Sequence, residues 1–230
     1  YQPKYNRVIE SAPTIKISCS PQCLKLALLT DVHNSWDNLK KSVAIINKED
    51  YDAVVFLGDL TNLGEEDDLD TGKKILNTLK IPYYFTPGNH DVWSAKRSGL
   101  PADAYWQTVF PAEPAPACLP VKNFNLVFIN NSDEQNGLTE ENWRRFNECL
   151  QATQSALIFS HEPLYHPVNE RVMGQYDSEV ATQAGQIKDL LCRKKVKLSG
   201  AGHLHNFAKY FYACPDGYKL PMFVAGALTA

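Results

Sequence analysis

The chain has 230 residues, 44% hydrophobic and 21% charged, with a formal net charge of -3. That size and composition suit a globular fold with a substantial core. They offer no basic field for nucleic acid, and no apolar run approaches the length needed to cross a bilayer.

Residues 1–20 are polar and irregular and read as a lead-in or an edge strand. The first residue is Tyr1 rather than Met, consistent with loss of a tag, a signal peptide or a membrane anchor. An exported, an anchored and a cytoplasmic protein all fit that start. Cys23 to Thr30 reads as the first core strand, ending at Asp31-Val32-His33. Asn34 or Ser35 can cap a helix to about Lys48, whose apolar face is Trp36, Leu39, Val43 and Ile46. Residues 53–57 form an apolar run, β-branched at Val54 and Val55, that stops at Gly58-Asp59. This pattern predicts a buried parallel strand. The acidic run Glu65-Glu66-Asp67-Asp68 then opens a helix to about Leu79. Its charge complements the helix dipole, a better account than a calcium site.

A third strand, Ile81 to Thr86, ends at Pro87-Gly88-Asn89-His90-Asp91. Residues 92–120 are rich in Pro and Ala and read as a surface excursion with a short helix near 102–109. A strand at Phe124–Asn130 and a helix from Thr139 through Leu150 follow, with Thr139 as cap. The strand Ala156–Ser160 ends at His161, and residues 162–178 form a second excursion. A helix at Ala181–Lys194 and a strand at Val196–Ser199 lead to Gly202-His203-Leu204-His205. Phe207–Tyr212 and Lys219–Ala225 close the chain as an antiparallel pair. Arg193, Lys194, Lys195 and Lys197 read as a solvated helix end. Early strand–helix alternation predicts parallel strands, and the strand-rich second half predicts a mixed sheet packed on the first. No composition break divides residues 1–230, which read as one domain.

The six cysteines (19, 23, 118, 149, 192 and 214) fit either scattered thiols or disulfides in an exported protein, with Cys19–Cys23 the local candidate pair. Cys19-x3-Cys23 has no second pair at zinc-finger spacing.

Several of these segments end in a metal-ligand type: Asp31 and His33, Asp59, Asn89 and His90, His161, and His203 with His205. Open α/β sheets present such strand ends to ligands along one edge. A lone histidine at a strand end is usually a hydrogen-bonded structural residue, but these share one topology. Oxygen and nitrogen donors without thiolate suit zinc, iron or manganese. Seven donors around one central carboxylate, Asp59, exceed the need of a single catalytic ion and suit two.

Asp31-x-His33, Gly58-Asp59-x-x-Asn62, Gly88-Asn89-His90-Asp91, His161 and Gly202-His203-x-His205 together resemble the motif set of the calcineurin-like metallophosphoesterases. The resemblance spans residues 24 to about 206, and in motif style is nearest the branch with class III cyclic nucleotide phosphodiesterases. It implies a four-layer αββα sandwich: two packed mixed β-sheets flanked by helices. It also implies two divalent transition-metal ions, Mn, Fe or Zn. Asp31, His33 and His205 would hold one ion, Asn89, His161 and His203 the other, and Asp59 would bridge them. Asn62 stands where purple acid phosphatases place a tyrosine ligand, so an iron–tyrosinate centre is not expected.

The implied reaction is hydrolysis of a small-molecule phosphodiester or phosphomonoester by a metal-bridging hydroxide. His90 would protonate the leaving group as general acid, and Asp91 would orient the His90 ring. The glycines at 58, 88 and 202 would let the backbone turn tightly beside the ions. Trp93, Arg97, Tyr165, His166, Arg171 and Tyr176 are candidate pocket walls on the two excursions. The competing readings are a non-catalytic scaffold or binding module on the same fold, and a monoester or nucleotide phosphatase.

Overall fold

The computed structural model describes residues 23–111, 118–153 and 155–229. The predicted lead-in and Cys19 of the candidate Cys19–Cys23 pair lie outside the described residues, whereas Cys23 lies within them and is disulfide-bonded.

Two sheets pack face to face. The first is parallel, in the order β1 (Leu26–Leu29), β2 (Ala53–Phe56), β3 (Tyr83–Phe85). The second is mixed: β4 (Cys118–Val121), β5 (Phe124–Ile129), β6 (Ala156–Ser160), β7 (Leu198–Ala201), β9 (Lys219–Val224), β8 (Ala208–Ala213). Within it β5, β6, β7 and β9 run parallel, while β4 and β8 pair antiparallel at the edges.

Period-2 alternation sorts each central strand onto two cores. Val54 and Phe56 of β2 face the helices α1 (Trp36–Ile46) and α2 (Glu66–Leu76), while Val55 faces the second sheet. Val127 and Ile129 of β5 face α5 (Glu140–Ala152) and α6 (Ser178–Arg193), while Leu126 and Phe128 turn inward. The result is the predicted four layers, helices–sheet–sheet–helices, and burial on both faces is why β2 reads as an unbroken apolar run.

Two expectations need correction. Residues 92–120 are not only a surface excursion. The described ones form α3 (Trp93–Arg97), α4 (Ala104–Val109), which is the short helix expected there, and the start of β4, and Trp106, Val109 and Phe110 are buried in the core over the first sheet. Ser35 precedes α1 without a capping side-chain hydrogen bond, and Asn34 is committed elsewhere: its Nδ2 donates to Asp68 and its Oδ1 accepts from Asn62 N. Thr139, by contrast, caps α5 as predicted, accepting from Asn142 N at 3.2 Å. Two disulfides resolve the open cysteine question for four residues: Cys118–Cys149 ties β4 to α5, and Cys192–Cys214 ties the end of α6 to the β8–β9 hairpin. Among the described residues, no helix is long and apolar enough to cross a membrane.

Candidate metal centre

Strands β1, β2 and β3 point one way, as do β5, β6 and β7, so their carboxyl ends meet along the seam between the sheets. There the chain places its candidate ligands in two groups that share Asp59.

The first group is Asp31, His33, Asp59 and His205, whose ligand-type atoms lie within 4.8 Å of one another. His33 Nε2 is 3.2 Å from His205 Nε2 and 3.4 Å from Asp59 Oδ2. Asp31 Oδ2 accepts from Thr30 Oγ1 at 2.6 Å and from His203 N at 3.0 Å. Asp31 Oδ1 is the one buried side-chain polar atom, among the described residues, without a hydrogen-bond partner. His205 Nε2 lies 3.1 Å from it, out of hydrogen-bonding alignment. A buried carboxylate oxygen left unpaired is costly, and a cation satisfies it.

The second group is Asp59, His161 and His203, again within 4.8 Å. His161 Nε2 is 3.3 Å from Asp59 Oδ2, 2.9 Å from Asn89 Oδ1 and 3.2 Å from His203 Nδ1. His161 Nδ1 lies 2.7 Å from Leu57 O, and since a carbonyl only accepts, Nδ1 carries the proton. That leaves Nε2 facing the seam, where a cation would take the place of its proton. Asp59 Oδ2 thus faces both groups, while its Oδ1 accepts from His90 N at 3.0 Å.

The backbone is bent to achieve this. Asp31, His33, Asp59, His203 and His205 have φ between 45° and 68°, the left-handed region that costs energy for residues with a Cβ. Of the three predicted turn glycines, only Gly58 needs its freedom for a positive φ, at 90°. Gly88 serves close approach instead: a Cβ there would lie 2.1 Å from Asp59 Oδ1.

Charge is strongly coupled across the seam. Burial alone would raise Asp59, but the neighbouring His161 holds its carboxyl well below the usual range. Burial likewise pulls His161 down, yet the Asp59 carboxylate more than offsets it and pushes the imidazole up to about 10. Burial and the His161 charge press His203 down to about 3. A site that must hold a proton between two donors to stay balanced is one that a cation fits. The orphaned Asp31 Oδ1, the ring nitrogens converging at 3.2 Å and the thiolate-free donor set all suit borderline divalent ions.

His90 belongs to neither group. Its Nδ1 is 2.8 Å from Asn62 O, and its ring lies 3.8 Å from Trp93 and 4.6 Å, edge-on, from His33. Asp91 does not take the expected place beside the His90 ring. Its carboxylate accepts from Leu60 N, Thr61 N, Thr61 Oγ1 and Gly88 N, binding the turn after β2 to the turn after β3. Burial and the Asp59 charge raise Asp91 to about 7 against the pull of those donors. The carbonyl of Asn62 does the orienting that sequence reasoning gave to Asp91.

The pocket-wall candidates divide. Trp93 touches His90, and Arg97 sits over Trp93. The charge of Arg171 acts against protonation of His203 and His205, although Asp31 raises His205 overall, so Arg171 is near the seam. Tyr165 and His166 pack instead on Tyr210 of the edge strand β8, and Tyr176 is exposed. Sequence reasoning missed a third cluster, Glu134, Glu162 and His203, in which burial pushes Glu162 up to about 8. It also missed Asn131, which bonds the backbone of His161. The adjacency of Glu162 to His161 was the one available signal.

A family model described as calcineurin-like phosphoesterase matches residues 24–207. The chain belongs to the calcineurin-like phosphoesterase family. Its likeness to characterised relatives is distant. A Coxiella burnetii protein described as a probable cyclic nucleotide phosphodiesterase is 23% identical over 202 residues, 80% of this chain and 77% of that one. A purple acid phosphatase from yellow lupin superposes with a TM-score of 0.62 at 17% identity. It covers 88% of this chain, which spans only 44% of the lupin protein. A dimetal phosphatase from Danio rerio gives 0.58 at 19% identity, covering 89% of this chain and 88% of that one. As a calcineurin-like phosphoesterase the chain is a phosphoester hydrolase of a family that uses divalent metal ions, and the two groups are its candidate ligand sets.

Proposed function

We propose that this phosphoesterase works with two divalent ions and cleaves phosphodiesters in preference to monoesters. Asp31, His33 and His205 would hold one ion, Asn89, His161 and His203 the other, with Asp59 common to both. The observation that carries the reading is Asp59 Oδ2, within 3.4 Å of His33 Nε2 on one side and 3.3 Å of His161 Nε2 on the other. The ions supply positive charge for the phosphoryl oxygens and a water of lowered pKa.

The protein supplies orientation and a proton. Leu57 O fixes the His161 tautomer, and Asp91 locks the two turns that present Asp59 and Asn89. Asn62 O holds His90 through Nδ1 and Trp93 stacks on its ring, which leaves Nε2 free to protonate the departing alkoxide. The description of the Coxiella burnetii relative favours the diester preference.

The test is metal analysis and turnover after reconstitution with manganese, comparing bis-(p-nitrophenyl) phosphate with p-nitrophenyl phosphate. About two ions per chain and faster diester cleavage are expected. Asp59→Asn should lose both ions and activity. No bound ion sinks the reading. Faster monoester cleavage overturns the diester preference alone. Two bound ions with neither ester cleaved would favour the scaffold.

A further inference from the structure

Asn131 lies one residue beyond the strand that the sequence predicts, in a position with no obvious chemistry. It is 1% exposed, and its side chain is spent on one short segment. Oδ1 accepts from His161 N and from Glu162 N, each at 3.1 Å, and Nδ2 donates to Glu162 O at 2.9 Å. Ser160 Oγ donates to the same carbonyl at 2.8 Å. The parallel ladder between β5 and β6 ends at the Ile129–Ser160 pair. Just past that pair the Asn131 amide takes over from the backbone, supplying donor and acceptor as a further rung of the ladder would. His161 is therefore fixed at two points: its ring by Leu57 O and its backbone by Asn131.

We infer that Asn131 is a positioning residue that sets the affinity of one metal position, the one built from Asn89, His161 and His203 with Asp59, and leaves the other largely unaffected. The inference rests on the two-ion reading above. Its selectivity follows from connectivity. Asp31 and His33 follow β1, and His205 follows β7; no ligand of their position leaves β6. His161 O accepts from Gly202 N at 3.0 Å, which ties the clamped segment to the turn of His203 and His205; the position of His205 feels the loss only through that turn, whereas His161 is clamped directly. Removing the amide strands two buried N–H groups beside the His161 ring, and relaxation there moves the ring off its present line to Asn89 Oδ1 and Asp59 Oδ2. Groups that orient a metal ligand typically carry 10–100-fold in metal affinity.

The experiment is calorimetric titration of the metal-stripped protein with Mn²⁺, alongside melting of the stripped protein. Wild type should show two binding events. Asn131→Ala should weaken one of them by roughly 10–100-fold and leave the other within a few-fold. Asn131→Asp keeps an accepting oxygen for both N–H groups but loses the donor to Glu162 O, and should restore part of the lost affinity. Should Asn131→Ala not fold, Asn131→Leu, which refills the volume without the hydrogen bonds, carries the same expectation. Two unchanged affinities with a lower melting temperature would show a merely structural residue and overturn the inference. So would an equal loss at both positions. Fewer than two events in wild type would instead bring down the two-ion reading itself.

Discussion

Gly88→Ala probes how closely the turn after β3 must approach Asp59. An added Cβ would lie 2.1 Å from Asp59 Oδ1 and 2.4 Å from Asp59 N, against an ordinary contact of at least 3.4 Å. Something must move by roughly 1 Å, whereas metal sites tolerate only about 0.2 Å. Little can yield. Asp59 N belongs to the backbone of the turn after β2, and Gly88 N is itself tied to Asp91 Oδ2 at 3.0 Å. Overpacking of this kind costs about 3 kcal/mol at the upper end of its range, which lowers Tm by roughly 6–12 °C in a chain of this size. A ligand displaced by 1 Å also costs about 100-fold in turnover. Metal content, melting and ester hydrolysis should therefore fall together. The control is Gly185→Ala in α6, where a Cβ meets nothing within 4 Å and helix propensity gains up to about 1 kcal/mol. A Gly88→Ala protein with wild-type metal content, turnover and Tm would refute the reasoning.

His90→Ala should retain both ions, because the ring touches Asn62 O and Trp93 and lies outside both ligand groups. Turnover should fall by about 10²–10⁴-fold, most steeply for alkyl esters and least for nitrophenyl esters; an equal loss on both would show that the ring is not the acid. The two disulfides close loops of 31 and 22 residues, each limiting the unfolded chain by about 3.5 kcal/mol. Under native conditions a mild reductant should open Cys118–Cys149 before Cys192–Cys214, since Cys118 is exposed whereas Cys192 and Cys214 are both buried. Mass spectrometry of alkylated protein reads the order, and first release of Cys192 and Cys214 would contradict it.

Much of this molecule was legible in its sequence because chemistry and topology coincide. Asp31, Asp59 and His161 each follow a strong apolar strand, so a pattern of strand ends pointed to side chains that the fold brings together as the candidate centre. What escaped notice carried its signal elsewhere. The short helix expected near 102–109 is present, but the surrounding Pro and Ala hid the burial of Trp106, Val109 and Phe110 in the core. Asn34 has the composition of a helix cap and serves as a tie between two turns. Asn131 acts through backbone groups, and an asparagine at a strand end reads the same whether or not its amide holds anything. Partners for the cysteines depend on distances across the fold, which spacing along the chain does not encode.

In the proposed assignment both ions are held across the boundary between layers: Asp31, His33, Asp59 and Asn89 come from the first sheet, and His161, His203 and His205 from the second. A folding chain with either layer complete and the other unformed has no place for a cation pair. On that assignment, loading would come late and would register whether the halves have come together in register. Chelation during refolding would interrupt maturation as well as switch off finished enzyme.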